Sequence, residues 1–369
     1  MGTQSAMTAA GNVTLSVSGN AVVGKISSSL ISGSALDLTA GGAISANGDG
    51  QVNLTAPIGT ETVALQAGTG IGSSSAYLLV NIPEFTASST TGGIYINDLE
   101  SANVPTLSAP GGSIGLVVNG ALAFGTITSG DAANVQATGN ITGNSLTTGN
   151  NSNAAVTSTG GSITAGSLDI AGALTANADT TLALTTGQVG TTANLTSGTT
   201  MQIGTLTSGG NQTLQAGNLF TLAANGALTS NGGGIGLVAS GLQMGTQSAM
   251  TAAGNVTLSV SGNAVVGKIS SSLISGSALD LTAGGAISAN GDGQVNLTAP
   301  IGTETVALQA GTGIGSSSAY LLVNIPEFTA SSTTGGIYIN DLESANVPTL
   351  SAPGGSIGLV VNGALAFGT

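Results

Sequence analysis

Two acidic residues in this sequence stand close enough to suggest acid–base chemistry. Asp98 and Glu100 are separated by one residue, and paired carboxylates can act as general acid and general base. Sites of that kind also use a cation or a metal to stabilise developing negative charge. The chain has no Arg and no His, and its only cations are Lys25 and Lys268. We therefore predict no enzymatic activity and no catalytic residues.

A second candidate is the turn Asn47-Gly48-Asp49-Gly50, which is similar to part of a calcium-binding Gly-Gly-x-Gly-x-Asp repeat. In such repeats, carboxylates from adjacent coils share one ion. A single partial match does not supply that array, whereas Asn-Gly and Asp-Gly are common turn sequences. We predict an ordinary turn here, with no metal and no cofactor.

The composition excludes several further classes of function. Charged residues are 5% of the chain, aromatic residues 2% and hydrophobic residues 41%, and the net charge is −13. Without Cys or His, no disulfide, thiolate metal site or Ser-His nucleophile can form. An acidic chain with two cations has little to offer phosphates or anionic membranes, so nucleic acid is not an expected partner. No apolar run reaches the roughly 18 residues that a bilayer-spanning helix needs, so we expect no membrane insertion.

The aromatic segment, residues 76–105, is the most irregular part of the sequence, and it recurs as residues 319–348. The segment and its copy contain all four tyrosines of the chain. Its aromatic residues could fill a wider coil from within, or they could form a contact patch, because aromatic residues are enriched at interfaces. Under the second interpretation, the predicted contact residues are Tyr77, Phe85, Tyr95, Asp98 and Glu100, with the copies Tyr320, Phe328, Tyr338, Asp341 and Glu343.

The sequence contains a long internal repeat. Residues 1–126 reappear without a change as residues 244–369, an offset of 243 residues, and residues 127–243 lie between the two copies. We interpret residues 1–369 as one continuous solenoid window from a longer tandem array. Residues 1–126 are then the first part of a 243-residue unit, and residues 127–243 are the remainder of that unit.

A shorter and looser period lies within this unit. Cassettes such as Leu36–Ile44, Val63–Ile71 and Val156–Ile163 alternate apolar and polar residues, then turn at Gly, then resume with an aliphatic residue. They recur at intervals of roughly 18 to 29 residues, the length of one β-helix coil. The sequence therefore predicts an all-β parallel β-helix, or β-solenoid, of irregular coils. A string of β-sandwich domains is the alternative, although no Trp or Cys core signature is present.

This fold prediction specifies a core and its turns. Stacked coils pair each strand with the coils above and below, in parallel. Six residues are expected to point into the core: Leu36, Leu38, Val63, Leu65, Leu182 and Leu184. Small inward Ala residues, such as Ala40 and Ala109, suit a tight corner, and Asn and Thr at matching turns could form ladders between coils. Possible glycosylation sequons at Asn12, Asn53, Asn140, Asn150, Asn194 and Asn211 are expected by chance in such a composition.

The cassettes resemble the β-helix repeats of filamentous-haemagglutinin-like and related giant bacterial surface adhesins. That resemblance implies a secreted protein with a long Gly-, Ser-, Thr- and Asn-rich shaft, located outside the cell or at its surface. We therefore expect a structural repeat segment that associates with itself in an extracellular fibre or forms an adhesin shaft. The alternative is a module that binds surface glycans, which exposed aromatic residues beside polar ones would favour.

Overall fold

The computed structural model describes residues 5–28, 35–48, 50–56, 62–271, 278–299 and 305–368. The predicted fold class is confirmed: the described chain is an all-β parallel β-solenoid of about 16 stacked coils, without helices. The chain divides into two compact units, residues 1–179 and 180–369. Within the described ranges, no helix is long and apolar enough to cross a membrane.

The strands follow directly from the alternating sequence, since alternate residues of a strand point to opposite faces. Strand Leu182–Val189, for example, buries Leu182 and Leu184, leaves Ala183 between them partly exposed and exposes Thr185. The cassette turns contain Gly-rich pairs, which end one strand and redirect the chain into the next side of the coil.

The strands of the first unit are Ala6–Ala9 (β1), Val13–Val17 (β2), Ala21–Val23 (β3), Lys25–Ser28 (β4), Ala35–Ala40 (β5), Ala43–Ala46 (β6), Leu54–Thr55 (β7), Thr62–Ala67 (β8), Gly70–Ile71 (β9), Leu78–Asn81 (β10), Thr86–Ser89 (β11), Ile94–Asp98 (β12), Ala102–Ala109 (β13), Ile114–Val118 (β14), Leu122–Ser129 (β15), Ala133–Ala137 (β16), Ile141–Thr148 (β17), Ala154–Ser158 (β18), Ile163–Ile170 (β19) and Leu174–Ala178 (β20).

The strands of the second unit are Leu182–Val189 (β21), Ala193–Ser197 (β22), Met201–Ser208 (β23), Gln212–Ala216 (β24), Leu219–Ser230 (β25), Ile235–Ala239 (β26), Gly241–Met244 (β27), Ala249–Ala252 (β28), Val256–Val260 (β29), Ala264–Val266 (β30), Lys268–Ser271 (β31), Ala278–Ala283 (β32), Ala286–Ala289 (β33), Leu297–Thr298 (β34), Thr305–Ala310 (β35), Gly313–Ile314 (β36), Leu321–Asn324 (β37), Glu327–Ser332 (β38), Ile337–Asp341 (β39), Ala345–Ser351 (β40), Ile357–Val361 (β41) and Leu365–Phe367 (β42).

The pairing between described strands of each unit is parallel, which excludes the alternative of separate antiparallel sandwiches. The distance in sequence between paired residues is the length of a coil. Leu78 pairs with Ile96, 18 residues later, whereas Ile26 pairs with Leu54, 28 residues later. Coil length therefore varies within the predicted range, because turns of different size connect strands of nearly constant register.

The core of each unit consists of aliphatic residues stacked in register. In the first unit, Leu36 pairs with Val63 and Leu38 with Leu65, and all four side chains are buried. In the second unit, Leu182 and Leu184 are likewise buried. The six core predictions are confirmed, each within its own unit. The inward Ala residues at the ends of strands, including Ala40 and Ala109, are also buried.

One large core residue depends on a neighbouring glycine. Phe124 pairs with Gly143 in the next coil, and both residues are buried. A Cβ atom on Gly143 would collide with the Phe124 ring. The missing side chain at Gly143 therefore provides the space that the aromatic ring occupies in a core otherwise filled by smaller residues.

Asparagine side chains at the turns connect each coil to the next. The Oδ1 atom of Asn140 accepts a hydrogen bond from the backbone N–H of Ser162, at 2.9 Å, and Asn153 accepts one from Ala173, at 2.8 Å. The same bond is made by Asn12, Asn20, Asn211, Asn255 and Asn263. The predicted ladder thus runs from side-chain amide to backbone, and it satisfies turn N–H groups that the strand pairing leaves over.

Candidate functional site

Four strands of the first unit, β10 to β13, position the aromatic segment. Within β12, Ile94, Ile96 and Asp98 point inward, while Tyr95 points outward and is partly exposed. This alternation separates Tyr95 from Asp98, so two predicted contact residues that lie close in sequence occupy opposite faces of the sheet. The aromatic segment thus contributes to the core and to the surface at once.

The expectation that Phe85 and Phe328 contact another chain is wrong. Each phenylalanine is only 1% exposed, inside the core of its own unit. The N–H of Phe85 donates a hydrogen bond to the carbonyl oxygen of Asn103 in the next coil, at 3.1 Å, which fixes the backbone with the ring turned inward. For these two residues the other interpretation holds, in which aromatic rings fill the coil from within.

Asp98 and Asp341 are also inside the solenoid, with no exposed surface, so they cannot supply the predicted contact. The Oδ1 atom of Asp98 accepts hydrogen bonds from the N–H groups of Ile82, at 3.4 Å, and Glu100, at 3.2 Å. Its Oδ2 atom has no hydrogen-bond partner among the described residues. Asp98 points inward because alternate residues of a strand face the same side, and Asp98 is the second residue after Ile96, which is the second after Ile94.

The buried carboxyl groups have unusual acidities. Burial raises the pKa of Asp98 to about 7, while the hydrogen bonds from Glu100 and Ile82 lower it and the charge of Glu100 raises it further. Burial likewise raises the pKa of Asp341 to about 6. Glu100 and Glu343 remain partly exposed. Asp98 and Glu100 therefore do not face a common cleft as an acid–base pair would.

The two tyrosines of the aromatic segment form a contact on the outer face. The rings of Tyr77 and Tyr95 are 5.7 Å apart between centroids, at an interplanar angle of 74°, an edge-to-face arrangement. Tyr320 and Tyr338 repeat it at 5.7 Å and 77°. A Cβ atom on Gly115 would lie 2.5 Å from Tyr77 Oη and 2.8 Å from Tyr95 Cδ1, so this glycine lets both rings lie close to the sheet. Burial raises the pKa of Tyr77, and the neighbouring Tyr95 adds to that effect.

A groove of about 560 Å³ begins at this tyrosine pair and continues along the outer face of the first unit. We call it the tyrosine groove. Its floor follows one outward column of paired residues: Tyr95, Gly115, Asn134, Ala155 and Thr175. Ser113 and Asn153 also line it, and none of its described lining residues carries a charge. The groove thus combines an aromatic wall with an uncharged polar floor.

The predicted turn residue Asp49 lies outside the described residues, but its copy Asp292 is described. The Oδ2 atom of Asp292 accepts hydrogen bonds from the N–H of Gln247 and the side-chain amide of Asn290, both at 2.9 Å. Its Oδ1 atom accepts one from the N–H of Gln294, at 3.0 Å. Partial burial raises the pKa of Asp292, but these hydrogen bonds outweigh it and the net pKa is lowered. The carboxylate thus holds a turn together, as the ordinary-turn interpretation requires.

Asn53 has a structural role that the sequence analysis missed. Its side chain is buried, and Nδ2 donates to the carbonyl oxygens of Val23 and Gly24 at 3.3 and 3.4 Å. Its Oδ1 atom accepts a hydrogen bond from the N–H of Leu79, at 3.1 Å. One amide thus links three coils, and Asn296 repeats these contacts in the second unit. The signal was an Asn directly before the inward Leu54, in a sequon that we attributed to chance.

Comparison with protein-family models, with curated proteins and with solved structures finds no match for this chain. The structure supports the coarser part of the adhesin resemblance, because the chain is a β-helix repeat. The finer part, membership of the filamentous-haemagglutinin-like adhesins, rests on composition and coil period alone. Evidence for function therefore comes from the chain's own residues.

Proposed function

We propose that this chain is a structural segment of a secreted bacterial protein, forming part of an extracellular fibre or adhesin shaft through self-association. The fold supports this proposal because each coil acts as a template for another coil. Parallel strands leave their N–H and C=O groups open at each end of a stack, and such an edge can pair with a further chain. Under this proposal the chain has no catalytic role.

The observation that carries the proposal is the stacking of apolar residues from one coil onto the next. Phe124 is only 5% exposed, because it pairs with Gly143 in the coil that follows. Leu122 and Ile114 likewise pair with residues of the next coil, Ile141 and Ala133, and are buried. The inner surface of a coil is therefore apolar, and a second coil is what removes it from water.

The charge distribution supports the same function. With 15 acidic residues and two lysines, the chain lacks the cationic surface that nucleic acid or anionic lipid would need. Its outward positions are mostly Thr, Ser, Asn and Gly, which suit a hydrated shaft. An extracellular or cell-surface location follows from the adhesin resemblance and belongs to this proposal.

Light scattering and electron microscopy of the purified chain test the proposal. Stacked coils are separated by the strand spacing of ~4.8 Å. We expect concentration-dependent association, and filaments of the native protein that diffract at this spacing along their axis. A chain that stays monomeric at all concentrations, together with native material lacking filaments, would refute the proposal.

The variant Val238→Glu separates two kinds of contact. It places a charge on an outward position of β26 that is 54% exposed, so folding should not be disturbed. We expect association through coil ends to be unchanged in this variant. Loss of association would show that the outer faces of the strands form the contact.

A glycan-binding adhesin module is the second candidate function, and the tyrosine groove is the observation that favours it. Tyr77 and Tyr95 lie at the surface beside uncharged polar residues. The predicted contact role of Tyr77, Tyr95 and Glu100, and of Tyr320, Tyr338 and Glu343, stays a prediction. Association through coil ends does not require any of these residues.

A further inference from the structure

We propose that the tyrosine groove is a binding site for a neutral glycan chain. In this site Tyr77 and Tyr95 stack against the apolar faces of sugar rings, while Asn134, Asn153 and Thr175 form hydrogen bonds with sugar hydroxyl groups. The proposal goes beyond the shaft function and does not depend on self-association. It assigns a ligand class to a surface that the shaft function leaves unused.

The aromatic wall is the first argument. Tyr77 and Tyr95 are held edge to face, and both line the groove. The Tyr95 ring packs against Gly93 and Gly115, where a side chain would not fit, since a Cβ atom at Gly93 would lie 2.7 Å from Tyr95 Cε2. The tyrosine orientation is therefore built into the backbone before any ligand arrives, which lowers the entropic cost of binding.

The polar floor is the second argument. The side chains of Asn134 and Thr175 form no hydrogen bond with any residue in the described ranges, so an amide and a hydroxyl are available to a ligand. Asn153 uses its Oδ1 atom for the N–H of Ala173, at 2.8 Å, which leaves Nδ2 as a donor. Donors and acceptors that alternate with apolar surface match the hydroxyl groups and C–H faces of a sugar.

The absence of charge from the groove lining selects the kind of glycan. None of the residues that line the groove is Asp, Glu or Lys. A uronic acid or sialic acid polymer would find no cation there and would be repelled by a chain of net charge −13. The site therefore favours a neutral polysaccharide over an acidic one.

The dimensions of the groove fit an oligosaccharide better than a second copy of this chain. The column from Tyr95 to Thr175 crosses four coil steps, or about 19 Å at the spacing of paired strands. The volume of the tyrosine groove, about 560 Å³, lies within the range of small-molecule sites. A groove of about 400 Å³ at Asn211 and Gly234 in the second unit has no aromatic residue, and we expect no glycan binding there.

The tyrosine pair also occurs in the second sequence copy. Tyr320 and Tyr338 reproduce it beside Gly358, in the same edge-to-face arrangement. The arrangement of the two rings is therefore a repeated feature of the sequence, and it does not depend on the residues that follow in the polar floor.

The test is calorimetric titration of the full chain with neutral hexasaccharides of glucose, mannose and xylose, and with an oligogalacturonate as the charged comparison. We expect binding of at least one neutral sugar and no binding of the oligogalacturonate. Tyr95→Ala should weaken binding about tenfold, and Asn134→Ala several-fold. The control variant Thr257→Ala, in the second-unit groove that has no aromatic residue, should leave affinity unchanged, and circular dichroism should show that all three variants fold.

Three results would overturn the proposal. These are no binding of any neutral sugar at millimolar concentration, equal loss of affinity in Tyr95→Ala and Thr257→Ala, or tighter binding of the charged oligomer. Light scattering on the same variants tests whether a second copy of this chain, and not a glycan, occupies the groove. If Tyr95→Ala abolishes self-association without changing sugar binding, the groove is an interface between copies and the glycan assignment fails.

Discussion

The buried carboxyl group of Asp98 should make the first unit less stable as the pH rises through neutrality. In the folded chain its pKa is about 7, above the ordinary value of 3.8. Between those pH values the folded state holds a proton that the unfolded state has released. Stability from this group is therefore fully present below about pH 4 and is lost as the pH rises through 7.

The size of the effect follows from the same pKa change. Each pKa unit corresponds to about 1.4 kcal/mol, so the rise from 3.8 to about 7 corresponds to roughly 4 kcal/mol between pH 4 and pH 8. Asp98→Asn removes the titration and keeps an oxygen that can accept from Ile82 and Glu100. We expect this variant to match the parent chain at pH 4.5 and to exceed its stability at pH 8.5.

Hydrogen exchange followed by mass spectrometry measures the pH-dependent stability near Asp98. A local method is needed because the coils of a solenoid need not unfold in one step. After correction for the intrinsic pH dependence of exchange, protection at the N–H groups of Ile82 and Glu100 should fall with rising pH in the parent chain. It should stay constant in Asp98→Asn. Glu84→Gln is the control, because Glu84 is exposed and its carboxylate accepts a hydrogen bond from the side-chain amide of Asn103, at 2.7 Å. The same pH dependence in Asp98→Asn and the parent chain would refute the reasoning.

Three further predictions concern stability, each measured by urea unfolding. Asn53→Ala should cost about 2–4 kcal/mol, because three hydrogen bonds at a buried amide are lost, and the exposed Asn177→Ala should cost less than about 0.5 kcal/mol. Phe124→Ala should cost about 3–5 kcal/mol, whereas Val238→Ala, at an exposed position of β26, should cost less than about 0.5 kcal/mol; equal costs would contradict the burial argument. Gly143→Ala should cost about 1–3 kcal/mol through its clash with Phe124, and an unchanged midpoint would show that the core can relax.

Alternation of apolar residues was sufficient to predict the fold and much of its core. Leu36 and Leu38 and their partners follow the period of two without interruption, and the structure buries them. The same rule applied to β12 would have placed Asp98 inside, next to Ile96. We instead grouped Asp98 with the aromatic residues as a contact patch by composition, and composition does not report which face a side chain occupies.

The tyrosine groove could not be predicted from the sequence. Its floor residues Gly115, Asn134, Ala155 and Thr175 are separated by 19, 21 and 20 residues. No fixed period brings them together, because the coil turns differ in length. Only the register of the strands shows that these small and polar residues form one column below Tyr95.

The turn asparagines have a consequence for the mechanical behaviour of the chain. Asn140 and Asn153 each tie a turn to the coil that follows, in addition to the backbone ladder. Under tension, a coil at the end of a stack can detach only when its ladder and its amide tie break together, while coils further in stay protected. Each detachment frees one coil of 18 to 28 residues, or roughly 60 to 100 Å of extended chain. Stretching should therefore give a series of small ruptures of unequal length, each of which dissipates work, and no single rupture should unfold the whole stack.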